Sequence, residues 1–186
     1  MEIIIKRSKE YWDNSFKKGK WDRLLNQERE KNTSFIASLI LKDSRDNLKV
    51  LDLGSGNGAL ADYLLPGKVN YHAVDISSEA LNLIKERHPD SNILASDINQ
   101  IQKIELEETF DYIVLNEVLY YIYPIGILNK LKKFSNKNTK VIISMYNSTR
   151  NKFLWFSILR KPVEKYLVSD EERGTSWKIK VFSYEK

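Results

Sequence analysis

The chain predicts a doubly wound α/β fold: a mostly parallel sheet of seven strands that closes with a C-terminal antiparallel hairpin. Three observations predict it. Short apolar runs alternate five times with segments of helical character. Glycine and proline fall at the junctions between these segments. The last two extended stretches have only a turn between them. Alternation of this kind favours right-handed crossovers and a parallel sheet, and it directs ligands to the carboxyl ends of the strands.

The elements follow in order. Residues 8–25 are polar with aromatic punctuation from Tyr11, Trp12 and Trp21, and read as a short helix and then a loop around Gly19. Residues 28–41 read as a helix, with Phe35 and Leu39, and Ile36 and Ile40, at a spacing of four. A first strand, Leu48 to Leu53, ends at a glycine cluster. Residues 59–65 are helical until Pro66 and Gly67 stop them. A second strand runs from Val69 to Val74, and a helix from Ser78 to about Arg87 follows, with Ser77 or Ser78 as its cap. Ile93 to Ala95 form a short third strand and Phe110 to Leu115 a fourth. Pro124 suits the first turn of a helix reaching Phe134. Thr139 to Met145 form the fifth strand, and a helix from Arg150 to Leu159 ends before Pro162. Strands at about 163–169 and 176–183 flank a turn at Glu171 to Gly174.

No repeat or linker divides the chain, so one domain is expected over 1–186, with a helical N-terminal lid over about 8–41. Hydrophobic residues at 42% and charged residues at 30% are those of a soluble globular protein. No apolar run approaches the roughly 20 residues that span a bilayer, and Ile3 to Ile5 are too short for a signal-peptide core. No membrane partner and a cytoplasmic location are therefore expected. The absence of cysteine excludes disulfides, thiolate metal sites and a cysteine nucleophile. The two histidines, His72 in mid-strand and His88 before a proline, are poorly placed for a base or a metal. The net charge of +5 permits an anionic substrate. It lacks the aromatic and basic interleaving that nucleic acid requires, so none is expected as partner. Nothing in the sequence specifies an oligomeric state.

The first strand ends in Asp52-Leu53-Gly54-Ser55-Gly56-Asn57-Gly58-Ala59. Glycine at alternate positions allows a tight turn and close approach of backbone to a ligand. Gly54, Gly56 and Ala59 also satisfy the dinucleotide pattern. Two features turn the reading from a dinucleotide. Asp52 opposes a pyrophosphate, and 186 residues leave little room for a second nucleotide half and a substrate domain. S-adenosylmethionine (SAM), with a sulfonium, an ammonium and no phosphate, fits better. Asp52 offsets its cationic methionine part. Asp75, 23 residues after Asp52, accepts from the ribose hydroxyls. Asp97 accepts from the adenine amine, with Ile76 and Ile98 sandwiching the ring. Asp75 as a helix cap and Asp97 as a turn former are the plainer alternatives.

Val50 to Gly58, Val74-Asp75-Ile76-Ser77, Ser96-Asp97-Ile98 and Phe110 to Val118 resemble consecutive motifs of class I SAM-dependent methyltransferases, over residues 47–145. Within that family, Asn116 to Tyr121 and Gly174 to Ile179 are similar to small N-methyltransferases of the nodulation type. The resemblance implies a Rossmann-like fold, SAM as methyl donor, and a small-molecule acceptor methylated on an amine or hydroxyl. It also implies cofactor binding by Trp12, Asp52, Gly54, Ser55, Gly56, Gly58, Asp75, Ile76, Asp97, Ile98 and Asn116, the last through its carbonyl. Asp111 is expected to serve the strand backbone. Methylation of RNA or a protein side chain, and a SAM-binding module without catalysis, are the rival readings. Asn116 does not begin the Asn-Pro-Pro-aromatic motif of DNA-adenine and glutamine methyltransferases.

Glu117 is the acid/base candidate; cofactor or backbone binding, or exposure to solvent, is its alternative. Tyr120, Tyr121 and Tyr146 are candidates for the acceptor pocket, against ordinary core packing. Tyr11, Trp12 and Trp21 are candidates for a lid, because a polar segment with large rings must bury them somewhere. Lysines at 130, 132, 133, 137 and 140 read as a solvated face.

Overall fold

The computed structural model describes residues 5–22, 30–67, 69–106 and 108–184. The elements are α1 (Lys9–Lys17), α2 (Glu30–Leu41), β1 (Leu48–Leu53), α3 (Ala59–Leu64), β2 (Val69–Asp75), α4 (Ser78–Arg87) and β3 (Asn92–Ala95). They continue with a 3-10 segment (Ile98–Lys103), β4 (Phe110–Asn116), α5 (Ile127–Lys130), a second 3-10 turn (Leu131–Phe134) and β5 (Ser135–Tyr146). The chain ends with α6 (Thr149–Phe156), β6 (Glu164–Asp170) and β7 (Thr175–Ser183).

The seven strands make one sheet in the order β3-β2-β1-β4-β5-β7-β6. The pairs among β1 to β5 are parallel, whereas β7 runs antiparallel to both β5 and β6. The order reverses between β1 and β4, and a crevice opens at their carboxyl ends because the crossovers leave in opposite directions.

Both faces of the sheet are buried, as the period of two requires. Leu51, Leu53, Ile113 and Leu115 face a core with Ile101, Leu131, Phe134 and Leu154. Leu48, Val50, Tyr112 and Val114 face the opposite core, with Ile36, Ile40, Leu64 and Ile84. Each such fully buried aliphatic side chain contributes about 1.5–3 kcal/mol. The spacing of four predicted in residues 28–41 is the inward stripe of α2, on which Ile36 and Ile40 are fully buried. Of the residues predicted for this helix, 28 and 29 lie outside those described, as do 23–25 of the N-terminal segment.

Three elements differ from expectation. The helix predicted from Pro124 to Phe134 is only a short α turn and a 3-10 turn. Gly126, at φ 71°, adopts a left-handed conformation that a right-handed helix cannot continue through. β5 starts at Ser135 rather than Thr139, with a register irregularity opposite Phe110 and Tyr112. α6 ends at Phe156, three residues short of Leu159. The lysine face is also only partly solvated. Lys133 donates to the carbonyls of Ile101, Gln102 and Ile104, which end the first 3-10 segment.

α4 matches the sequence expectation, and its cap has a second task. Ser77 is fully buried and its hydroxyl accepts from the Ala80 amide at 3.2 Å. The same hydroxyl donates to Asp13 Oδ1 at 2.7 Å, which ties α1 to the start of α4. Asp13 also accepts from the Glu79 amide. Replacing Ser77 by Ala should therefore remove a cap and a tether together. We expect a loss of about 1–2 kcal/mol in chemical denaturation. A loss below about 0.3 kcal/mol would show that water replaces both bonds.

Candidate functional site

The carboxyl end of β1 turns through three glycines with positive φ, Gly54 at 78°, Gly56 at 54° and Gly58 at 83°. At Gly54 and Gly58 the constraint is also steric. A Cβ on Gly54 would lie 2.4 Å from Val118 Cγ2, and one on Gly58 2.6 Å from Ile84 Cγ1. The turn is anchored to β2. The Gly54 amide donates to the Val74 carbonyl at 2.7 Å, and the Gly56 amide to Asp75 Oδ2 at 2.9 Å. Asp75 Oδ1 accepts from the Ser77 amide. The Asp75 carboxylate thus joins the glycine turn to the start of α4. Burial raises its pKa against the opposing backbone bonds.

Asp52 is buried one strand away, and its Oδ2 accepts from the Tyr71 hydroxyl at 2.6 Å. Its Oδ1 is buried and takes no hydrogen bond among the described residues, and neither does Ser55 Oγ. Burial pushes the Asp52 carboxyl up to about 7, against the Tyr71 bond and helped by Asp75. Two polar atoms without partners beside a backbone cradle call for a ligand with a cationic or donor group.

The cleft over this turn is lined from β2 by Asp75 and Ile76, and beyond β3 by Asp97, Ile98 and Asn99. From β4 and the loop after it come Asn116, Glu117, Val118, Tyr121 and Ile122. Asp97 is also the cap of the first 3-10 segment, accepting from the Asn99 amide at 2.8 Å, so its turn-forming reading holds beside its place in the cleft. Glu117 is buried, with a backbone φ of 59°. That conformation costs a non-glycine residue about 1–2 kcal/mol. The Glu117 amide, donating to the Ser144 carbonyl, and the Tyr120 hydroxyl, donating to Oε1 at 2.8 Å, hold it there.

α1 and the turn after it make the outer wall. Trp12, Phe16 and Trp21 line the cleft, and Trp12 meets Tyr121 edge-on at 4.9 Å between centroids. Asn57 of the glycine turn donates to the Trp21 carbonyl.

The structure thus brings Trp12, Asp52, Gly54, Ser55, Gly56, Asp75, Ile76, Asp97, Ile98, Asn116, Glu117 and Tyr121 to one cleft. It leaves out three candidates. Gly58 shapes the turn from behind, against Ile84. The Tyr120 hydroxyl is occupied by Glu117 and by the Tyr146 amide, which donates to it. Tyr146 stands at the exposed end of β5. Asp111 lies away from the cleft and accepts from the Lys49 amide and from Arg45. His88 pairs with Asp62 at the end of α4.

Sequence reasoning missed several residues. Phe16 follows Trp12 by one helical turn, a spacing that marks a shared face. Asn32 and Thr33 are polar yet buried in α2. Asn32 donates to Asn116 Oδ1 at 2.9 Å and accepts from the Ser144 hydroxyl at 3.0 Å. This network occupies the Asn116 side chain. Lys6 and Arg7, also lining it, carry no sequence signal beyond their charge.

Known proteins resemble this chain in sequence and in fold. The family described as "Methyltransferase domain" matches residues 23–183. The release factor glutamine methyltransferase of Lactococcus lactis is 33% identical over 93 residues, which are 47% of this chain and 33% of that protein. The chain thus spans about a third of that relative's length. Among solved structures, the 1,6-didemethyltoxoflavin-N1-methyltransferase of Burkholderia thailandensis, bound to 1,6-didemethyltoxoflavin and S-adenosylhomocysteine, superposes with a TM-score of 0.72. It has 18% identity, and the match covers 96% of this chain and 87% of that one. The N-methyltransferase NodS of Bradyrhizobium japonicum superposes with a TM-score of 0.65 at 17% identity, covering 94% and 99% of the two chains. No helix among the described residues is long and apolar enough to cross a membrane.

The Asp52 carboxyl sets a pH dependence. Its pKa is raised on folding, so the neutral form is favoured and ionising it costs stability as pH rises from the ordinary carboxylate range through about 7. A ligand that places a cation on Asp52 binds the ionised form. Affinity for S-adenosylhomocysteine, the demethylated product, should therefore rise about tenfold between pH 6 and pH 8 by calorimetry, and Asp52→Asn should flatten the curve. A wild-type curve as flat as the variant's would show that Asp52 does not meet the ligand's cationic end.

Proposed function

The chain belongs to the methyltransferase domain family, as a class I domain that uses SAM, and on that premise we propose that it methylates an amine or hydroxyl of a small molecule. The observation that carries the reading is the cleft itself. Its floor is the glycine turn with Asp52 Oδ1 and Ser55 Oγ, which take no hydrogen bond among the described residues, and its outer wall is the aromatic cluster of α1 and the turn after it. A wall built by Trp12, Phe16 and Trp21 narrows the entrance and favours a small acceptor over a folded macromolecule. Two N-methyltransferases with this fold support the same reading: the didemethyltoxoflavin enzyme, which binds a small molecule, and NodS. The protein-modifying relative matches less than half of this chain. The sequence after Asn116 also lacks the two prolines that would follow in a glutamine methyltransferase.

Bound in the cleft, SAM supplies an electrophilic methyl: the acceptor nitrogen or oxygen bonds to the methyl carbon as the carbon–sulfur bond breaks, and the acceptor releases its proton. The residues of the chain divide the remaining work. Asp52 and the glycine turn hold the methionine part. Asp75 has lone pairs left beyond its two amide bonds and accepts from the ribose hydroxyls. Asp97, with Ile76 and Ile98, holds the adenine. Asn116 offers its carbonyl beside the sulfonium. Glu117, fixed in its strained conformation by Tyr120, orients the acceptor and receives its proton, directly or through water. The α1 wall excludes bulk water and keeps nucleophile, carbon and sulfur in line, which is where most of the acceleration of such a displacement arises.

Two measurements test this. Incubation with SAM and a panel of primary amines, anilines, alcohols and phenols, beside a peptide and an RNA, should yield methylated small molecules by mass spectrometry. Methylation of the peptide or RNA alone would overturn the assignment of acceptor. Separately, Asp75→Ala should weaken S-adenosylhomocysteine more than Glu117→Ala does. Two charge-assisted bonds of about 1.5–3 kcal/mol each are removed in the first case. Glu117→Ala should act on turnover. Equal losses of affinity would move Glu117 to the cofactor site.

A further inference from the structure

We propose that the methyl acceptor carries an anionic group, a carboxylate or phosphate, and that Lys6 and Arg7 bind it. This inference rests on the methyltransferase reading and deepens it.

Charge is distributed unevenly along the cleft. Its acids Asp52, Asp75 and Asp97 stand at the ends of β1, β2 and β3, where the donor is held. The cations in its lining, Lys6 and Arg7, come from the segment before α1. That segment is pinned on the opposite side. The Ile5 amide donates to the Tyr120 carbonyl at 2.8 Å, which sets Lys6 beside the loop that follows β4. Arg7 lies over the Tyr11 ring at 5.0 Å, and Tyr11 meets Trp12, which in turn meets Tyr121. Both cations thus line the cleft from the side of the loop that carries Tyr120 and Tyr121.

Neither cation has an anionic partner among the described residues. Arg7 is steadied by the Tyr11 face, so its fork of donors is partly ordered before any ligand arrives. Two unpaired cations beside a carboxylate and an aromatic wall suit a molecule with three matching parts. An anion meets Lys6 and Arg7, a planar body lies against Trp12 and Tyr121, and an N–H or O–H faces Glu117. The donor also has a carboxylate, and this same chemistry would place it on the two cations. The experiment separates these two sources.

The full chain loaded with S-adenosylhomocysteine is titrated with benzoate and with benzamide, its neutral counterpart of similar shape. The fluorescence of Trp12 and Trp21 in the cleft wall reports binding. Benzoate should bind at least about fivefold more tightly than benzamide. In Lys6→Gln/Arg7→Gln the benzoate affinity should fall about tenfold, as two partly exposed charge pairs imply. Benzamide binding should stay unchanged, and affinity for S-adenosylhomocysteine should stay within twofold. Equal binding of benzoate and benzamide, no binding of either, or an unaltered benzoate affinity in the double variant overturns the inference. A loss of S-adenosylhomocysteine affinity that matches the benzoate loss also overturns it, because the cations would then hold the donor's carboxylate. If the wild-type chain does not bind S-adenosylhomocysteine at all, the methyltransferase reading itself falls, an outcome distinct from the others.

Discussion

The turn that leaves β1 governs the rest of the site. Its glycines take left-handed conformations that only glycine adopts cheaply, and at Gly54 and Gly58 a neighbouring side chain already fills the place of a Cβ. Because the backbone bends there, Gly56 can donate to Asp75, and Asp75 can reach the amide of Ser77 at the start of α4. One carboxylate therefore couples the end of β2, the glycine turn and the following helix. Asp52 is left buried beneath, with Tyr71 as its hydrogen-bond partner and no cation beside it among the described residues. A folded chain tolerates this because the group can remain neutral. A cationic ligand turns the same desolvation penalty into affinity.

The helices before the sheet complete the cleft by two different kinds of contact. α1 and the turn after it are held by polar bonds, Asp13 to Ser77 and the Trp21 carbonyl to Asn57, and by rings that meet at 4.9–6.5 Å. α2 is held by its apolar stripe and by a buried network from Asn32 to Asn116 and Ser144. The network sits at the carboxyl ends of β4 and β5. It fixes the end of β4 just where Glu117 departs from ordinary backbone geometry. Strain at Glu117 thus persists because neighbours on β5 and in the following loop over-determine its position.

The fold and the part of the cleft at the ends of β1, β2 and β3 are legible for one physical reason. Periodicity reports which faces are buried, and the Gly-x-Gly-x-Gly turn with acids after three successive strands reports local backbone demands. Both signals are carried by residues near in sequence. The helix expected after Pro124 failed at Gly126 because a single left-handed residue outweighs the helical character on either side of it. The bonds of Lys133 leave no local signal, because its carbonyl partners lie some thirty residues earlier in the chain.

By itself, then, the sequence determined the alternating architecture, the glycine turn, the acids Asp52, Asp75 and Asp97, and the need to bury Trp12 and Trp21. Only the tertiary structure decided which side chains share the cleft beyond β4. Tyr120 and Tyr121 are adjacent, yet one is spent on Glu117 and the Tyr146 amide while the other faces Trp12 across the cleft. Phe16, Thr33, Lys6 and Arg7 join them from segments that precede the whole sheet. Contacts of that kind depend on how the chain returns to the crevice between β1 and β4. The packing of one element on another sets that return, and no local spacing records it.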